Sequence, residues 1–369
     1  MQPLRPVIAA LAVVVVPALA LPATHGAASA DPLGSAAVGA ATSLGAVGAP
    51  VSGSVEAVPS GSHAGSADAL DAGSDAAFGL GTSSESAGTP IGACAGPTPR
   101  VTVSTFGATP PPVLGWTENM AFDDEGRLWV SKTFLDRVDA YDDDGEVIAS
   151  VPVRAPGGIA RGPDGRMHVA AGTGYLADRS DLVTFDPAAP RPEARIEARL
   201  GNRKNGLAVD SDGNRYLTSL EDTGLTRVGP DGEVDHDWSR AAALGVSNGI
   251  AIDGETAYVT QSTDRTVVHA VPLDRPGEWT TIELTAPPTT PRGLDDLDIT
   301  AEALYVTSWS SGEVYRIDRA SGEACVLVGG IPRATSVLVA DGFGDFGPGD
   351  LLVTSLHGPI RHVRLSAAP

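Results

Sequence analysis

The chain has 369 residues, a formal net charge of −21 and two cysteines. So acidic a surface excludes nucleic acid and anionic membranes as partners, because both are bound through basic patches. Two cysteines cannot make a closed structural zinc site, which needs four ligands, typically Cys and His at short spacings.

Residues 1–30 read as a signal peptide: Arg5 supplies the positive end, Val7–Leu21 is apolar, and Ala28-Ser29-Ala30 offers a cleavage site. The apolar run is short for a membrane span and Pro17 interrupts it. An uncleaved anchor is the alternative, but no stop-transfer pattern follows. The expected product is secreted and extracellular, with no membrane attachment after cleavage. Residues 31–99 are Ala, Gly, Ser and Pro with scattered acids and no Lys or Arg. Such a segment buries too little apolar surface to offset its chain entropy, so a disordered linker is expected. From Val101 onward Trp, Tyr and alternating Val, Ile and Leu appear, which leaves 100–369 as one all-β domain.

Within that domain one phrase restarts six times. Aligned on the first apolar residue of each strand, the copies begin at Met120, Ile159, Leu207, Ile250, Leu297 and Val337, spaced 39, 48, 43, 47 and 40 residues. A repeat of roughly 40–50 residues built from short strands marks β-propeller blades. The expected fold is therefore an all-β, six-bladed β-propeller.

Blade 3 shows the unit. Asn205–Asp210 is the inner strand, Arg215–Ser219 the second and Leu225–Val228 the third, and Glu233–His236 begins the fourth. Asp-Gly turns separate them, since Asp and Gly tolerate positive φ. Blade 6 ends after a third strand, Ile360–Leu365, so Arg100–Phe106 is expected to close the ring as its outer strand.

The residue two places before each aligned position reads Glu118, Gly157, Asn205, Asn248, Asp295 and Thr335. Equivalent positions of inner strands stand at one height around a propeller's channel, so four oxygen-bearing side chains are expected to converge there. Two carboxylates crowded without a counter-charge repel each other and lose hydration. With two amides they suit one divalent metal ion, Ca²⁺ best, with Mg²⁺, Mn²⁺ or Zn²⁺ as alternatives. Asn119 and Asp296, one place further on, are candidate supports or additional ligands. Gly157 and Thr335 are expected to leave their sectors open to a small molecule.

Second strands run antiparallel to inner ones and should end on the same face. That puts Lys132, Ala171–Tyr175, Leu220-Glu221, Gln261-Ser262, Trp309 and Leu356-His357 around the mouth. His357 is the histidine best placed to act there, with a surface-turn histidine as the alternative. Trp309 is read as a pocket wall or as core packing.

The ring Glu118, Asn205, Asn248, Asp295 resembles the senescence-marker-protein/gluconolactonase (regucalcin-like) family of six-bladed propellers, distantly paraoxonase-like. Arg203-Lys204-Asn205-Gly206, Ser247-Asn248-Gly249-Ile250, Leu294–Ile299 and Phe346–Ser355 carry the similarity. Asn119-Met120 stands after Glu118 where gluconolactonases have Gly-Pro. The resemblance implies a single catalytic metal at the channel mouth and hydrolysis of lactones or related esters. It implies Glu118, Asn248 and Asp295 as metal ligands. Asn205 matches a position that contacts metal-bound water or substrate, and Arg203 falls near a substrate-binding arginine. Asp295 or His357 is expected to relay the proton. Blade 2, Pro156–Gly165, also resembles streptogramin-lyase and NHL-type repeats, which keeps open a non-catalytic propeller that binds a small ligand or protein. A monomer acting on a small molecule is expected.

Cys325 opens the outer strand of blade 5 and Cys94 precedes the outer strand of blade 6, so the two are expected to form a disulfide that pins the closing strand.

Overall fold

A computed structural model describes residues 93–94, 100–110, 115–174, 177–221, 224–262, 266–284, 293–340 and 342–366. The signal segment, the rest of the linker and Tyr175 of the rim lie outside the described residues. The strands form six four-stranded antiparallel sheets, five of them built from consecutive strands, which is the six-bladed propeller read from the repeats. The inner strands are Thr117–Phe122, Pro156–Arg161, Leu207–Val209, Ser247–Asp253, Leu294–Ile299 and Ala334–Val339. The second strands are Leu128–Lys132, Met167–Ala171, Arg215–Leu217, Thr256–Gln261, Ala303–Ser308 and Leu351–Ser355.

The apolar side chains of these strands do not gather into one central core. They form six clusters, each shared by two neighbouring blades. Between blades 1 and 2, Trp129 of one meets Phe185 of the other at 4.9 Å between ring centroids. Burying each such side chain contributes roughly 1.5–3 kcal/mol. Adhesion between blades therefore holds the ring, and the axis is free to be polar.

The ring closes as expected. Arg100–Phe106 pairs antiparallel with Ile360–Ser366 and becomes the outer strand of the sixth blade. Cys94 and Cys325 are bonded, with Cα atoms 4.7 Å apart. Cys94 N also donates to Val326 O at 3.2 Å, so the leader of the closing strand lies along the outer strand of blade 5.

Blade 3 departs from expectation. Its outer strand is only Val234–Asp235, and His236, read as part of that strand, begins a helix over His236–Ala241. The Asp235 carboxylate caps that helix by accepting from Trp238 N at 3.0 Å. Trp238 is buried against Tyr216, and its indole N–H donates to Leu273 O of the next blade at 2.7 Å. Bringing the indole there outweighs continuing a strand. The inner strand is also short, so Asn205 stands just ahead of it. No helix among the described residues is long and apolar enough to cross a membrane.

Candidate functional site

The geometry of the mouth starts from a repeated irregularity. Pairing between inner and second strands slips between Thr117 and Met120, Pro156 and Ile159, Ser247 and Ile250, Leu294 and Leu297, and Ala334 and Val337. Glu118, Gly157, Asn248, Asp295 and Thr335 fall inside these slips. A bulge of this kind re-aims a side chain that regular pleating would send to one face of the sheet.

A threonine near the end of four second strands then ties the inner strand of its own blade to the next blade. Thr218, Thr260, Thr307 and Thr354 accept the N–H of Gly206, Gly249, Asp296 and Ser336 in their own blades, at 2.7 to 3.0 Å. Each hydroxyl donates to the ring residue's carbonyl in the following blade. Thr354 reaches Glu118 O at 2.6 Å and Thr307 reaches Thr335 O at 3.1 Å, while Thr218 and Thr260 bond Asn248 O and Asp295 O. One hydroxyl thus sets both ends of the joint between two blades. Blades 1 and 2 carry Ser131 and Ala170 at the equivalent position, and the buried Ser131 hydroxyl has no partner among the described residues. Thr354→Val is expected to cost about 2–3 kcal/mol, since it keeps the volume but strands a buried N–H and a buried carbonyl. Ser131→Ala is expected to be neutral or stabilising. Urea midpoints of the two variants check the pair, and equal losses would remove the latch from the account.

The glycine after Asn205 or Asn248 is not there for a turn. A Cβ on Gly206 would stand 2.5 Å from Asn248 O, and one on Gly249 would stand 2.5 Å from Asp296 Cα. The next blade's backbone occupies that space. The same position in blades 5, 6 and 1 holds Asp296, Ser336 and Asn119, and these three close on one another. Ser336 Oγ and Asn119 Nδ2 both donate to Asp296 Oδ2 at 2.6 Å. The expected support role of Asn119 and Asp296 therefore has a physical form, a polar cluster beside the ring.

The ring's electrostatics are unfavourable as it stands. Glu118, Asn205, Asn248, Asp295 and Asp296 are all buried. Desolvation raises the Glu118 carboxyl to about 8, against a hydrogen bond from Trp116 that lowers it and the Asp296 charge that raises it further. Desolvation, then Glu118, then Asp296 push Asp295 well above the usual carboxylate range, with only an Asn248 bond opposing. Burial also raises Asp296 to about 7. Among the described residues no basic group offsets any of the three. Nor, among the described residues, do three Asp, Glu, His or Cys come together as a metal cluster. What the ring presents is two carboxylates and two amides, an oxygen set suited to a hard cation, and its uncompensated acids would be relieved by one.

Around this ring the structure brings some expected residues together and separates others. Trp116 carries no signal in the sequence, yet its indole N–H donates to Glu118 Oε2 at 2.6 Å. Its ring lies 6.4 Å from Trp309 and 4.9 Å, edge-on, from Phe134. Trp309 is buried, packed beside Trp116. Arg203 stands on the rim but is engaged by Glu221 at 2.5 Å. His357 is exposed in the turn after the sixth second strand, and among the described residues no hydrogen bond or ion pair joins it to the ring. At the two positions without an acid or amide the neighbours are as follows. A Cβ on Gly157 would run into the Thr173 side chain, and the Thr335 hydroxyl turns aside to Thr117 O at 2.6 Å. Two clefts of about 330 and 500 Å³ lie on the opposite face, among the turns at Asp124, Asp164 and Gly344.

The chain is similar in structure to the gluconolactonase of Xanthomonas campestris, at 20% identity and a TM-score of 0.53, over 76% of this chain and 99% of that one. A protein provisionally named a gluconolactonase matches at 15% identity and 0.53, over 72% and 92%. A provisionally named oxidoreductase (glucose dehydrogenase) from Thermus thermophilus matches at 16% and 0.51, over 72% and 100%. No family model and no curated protein matches the sequence. At these identities the likeness establishes the propeller fold alone.

Proposed function

We propose that this protein is a secreted, divalent-cation-dependent hydrolase of lactones or related esters, with Ca²⁺ the best-fitting ion. The observation that carries the reading is the buried ring itself, where burial raises the proton affinity of Glu118 and Asp295, Glu118 raises that of Asp295 further, and no basic group among the described residues balances them. Buried charges without partners are held at considerable cost, and sites that shift titration this far are commonly functional. The gluconolactonase-like neighbours share the propeller on which such a site would sit. A disulfide between Cys94 and Cys325 agrees with export to an oxidising compartment.

Glu118, Asn248 and Asp295 would hold the ion, with Asn205 as a further oxygen donor toward ion or substrate. A bound divalent cation supplies Lewis acidity toward a carbonyl and favours deprotonation of the attacking water. The chain's own groups do the rest. The amides of Asn205 and Asn248 orient the reacting oxygens. The Asp295 carboxylate, beside the reacting oxygens, would receive the proton from the water and return it to the leaving oxygen. We assign that relay to Asp295 in preference to the exposed His357. Trp116 and Trp309 keep one side of the site dry, which strengthens every electrostatic contact within it.

A second reading draws on the burial of Glu118. Desolvation raises its carboxyl to about 8 despite the Trp116 bond that lowers it, so the acid persists in neutral form at neutral pH without any cation. A metal-free propeller binding a small ligand or protein would look the same. Elemental analysis of the purified domain, followed by a lactone and aryl-ester panel before and after chelation, separates the two. The expected result is about one bound divalent ion per chain and hydrolysis that chelation removes and Ca²⁺ restores. Metal-free protein with no hydrolysis and no response to added cations would rule out the hydrolase.

A further inference from the structure

The position two residues before the ring holds Trp116, Ala155, Arg203, Val246, Gly293 and Arg333 in the six blades. In four of them its carbonyl has one task, to accept a hydrogen bond from just beyond the second strand. Trp116 O accepts from Thr133 N at 3.2 Å, Ala155 O from Gly172 N at 3.0 Å, Gly293 O from Trp309 N at 2.9 Å and Arg333 O from Leu356 N at 3.0 Å. Residues as unlike as alanine, glycine and arginine perform it, so the backbone does not call for an indole in blade 1.

The Trp116 side chain has a task of its own. Its N–H donates to Glu118 Oε2 at 2.6 Å, and both residues are buried. An indole N–H donates and cannot accept, so no rotation reverses this bond as it could one from a hydroxyl or an amide. Packing fixes where the donor stands, since the ring lies edge-on to Phe134 at 4.9 Å and 6.4 Å from Trp309. No other hydrogen bond reaches the Glu118 carboxylate among the described residues. One oxygen of this acid is therefore committed to an immobile donor, and the other is left for the ring.

We propose that Trp116 is the positioning residue of the cation site: by holding one oxygen of Glu118 it makes this acid a one-oxygen ligand, and so lets the site hold Mg²⁺ as well as Ca²⁺. Mg²⁺ demands single, well-placed oxygens in near-octahedral order, whereas Ca²⁺ takes carboxylates through one oxygen or both and tolerates irregular shells. A Glu118 free to offer both oxygens would favour the larger ion. This assignment rests on the cation site of the hydrolase reading above and names what sets its choice of ion. Packing alone predicts the same contact, because a buried indole seeks an acceptor, so the ion preference is what tells the two roles apart.

The test uses Trp116→Phe, which keeps an aromatic ring beside Phe134 and Trp309 and removes the donor. Calorimetric titration of the chelator-treated chain with Ca²⁺ and with Mg²⁺ reads both affinities without turnover. Mg²⁺ affinity is expected to fall about tenfold or more in the variant, the loss usual when a group that orients a metal ligand is removed. Ca²⁺ affinity should fall much less, because the freed Oε2 can join that ion, so the preference for Ca²⁺ over Mg²⁺ rises severalfold. A merely structural Trp116 would lower the melting temperature in chelator and leave the preference where it was. A preference unchanged in the variant, whether the two affinities fall together or stay, would overturn the assignment and leave the cation site standing. A wild type that binds Ca²⁺ but no Mg²⁺ at tens of millimolar would overturn it too. A wild type that binds neither ion would remove the site, and the hydrolase reading and this assignment with it. Should the variant fail to fold, the wild type still reads the bond through its indole N–H resonances. The one that Glu118→Gln moves most should keep its downfield position when Mg²⁺ is added, and an upfield move would overturn the assignment.

Discussion

Glu118→Gln is expected to stabilise the chelated protein and to abolish its stabilisation by Ca²⁺. In the cation-free ring Glu118 titrates at about 8, against an ordinary value of 4.5. The folded state therefore binds this proton more tightly than the unfolded chain does. Stability from the group is fully present below about 4.5 and is lost as pH rises toward about 8. At pH 7 the ionised form in the unfolded chain is favoured by about 3 kcal/mol relative to the folded site. Glutamine has no proton to lose, and its oxygen can still accept from the Trp116 indole. Removing the charge also relieves Asp295, whose proton affinity Glu118 raises. A bound cation reverses the dependence, because it competes with the proton and binds better as pH rises. Thermal melts at pH 5, 7 and 8, in chelator and in millimolar Ca²⁺, check each part. In chelator the wild type should lose stability across this range and the variant should lose less. In Ca²⁺ only the wild type should gain, since a ligand specific for the folded state raises its melting temperature. A wild type indifferent to Ca²⁺, Mg²⁺, Zn²⁺ and chelator alike would remove the cation from the site.

The blades were legible because period-two strands and Asp-Gly turns are local signals, and the sheets repeat them with little change. The nearness of Glu118, Asn248 and Asp295 was legible for the related reason that equal register in a repeat means equal height in a propeller. What the sequence hid depends on three-dimensional direction. Trp116 lies two residues before Glu118, and only the bulge turns its indole back onto that carboxylate. Thr218, Thr260, Thr307 and Thr354 follow an apolar residue in every case, a visible repeat, but threonine is common in strands and the repeat passes for β-propensity. Asn205-Gly206 and Asn248-Gly249 read as turn chemistry, whereas their glycines answer to the close approach of a neighbouring backbone, which only the packed blades reveal. The helix at His236 was missed because the Asp235 cap works with Trp238, which reaches across to blade 4, a contact no local pattern contains.

Replacing both Cys94 and Cys325 by alanine is expected to lower stability by about 4 kcal/mol, which for a domain of this size is a melting shift of roughly 10 °C. The disulfide joins positions 231 residues apart, so the loop it closes in the unfolded chain is nearly the whole propeller. Its folded-state role is local. The leader containing Cys94 lies on the outer strand of blade 5, and the strand that follows, Arg100–Phe106, belongs to blade 6. The bond therefore ties the closing strand across the seam between two blades. Without it the strand keeps its pairing with Ile360–Ser366 and the Phe106 contacts with Phe343 and Phe346, so the ring should still form. Opening should begin at that seam, where only one sheet edge restrains the chain. Hydrogen exchange distinguishes this from general weakening. The amides of Arg100–Phe106 should lose protection first and most, with those of Trp129 and Val130 in blade 1 following only on global unfolding. Uniform loss of protection across all blades would assign the bond a purely unfolded-state effect. A melting temperature within about 2 °C of wild type would deny it a stabilising role altogether. The shift should be the same with and without Ca²⁺, because the disulfide sits where outer strands begin, on the face of the propeller opposite the ring of acids.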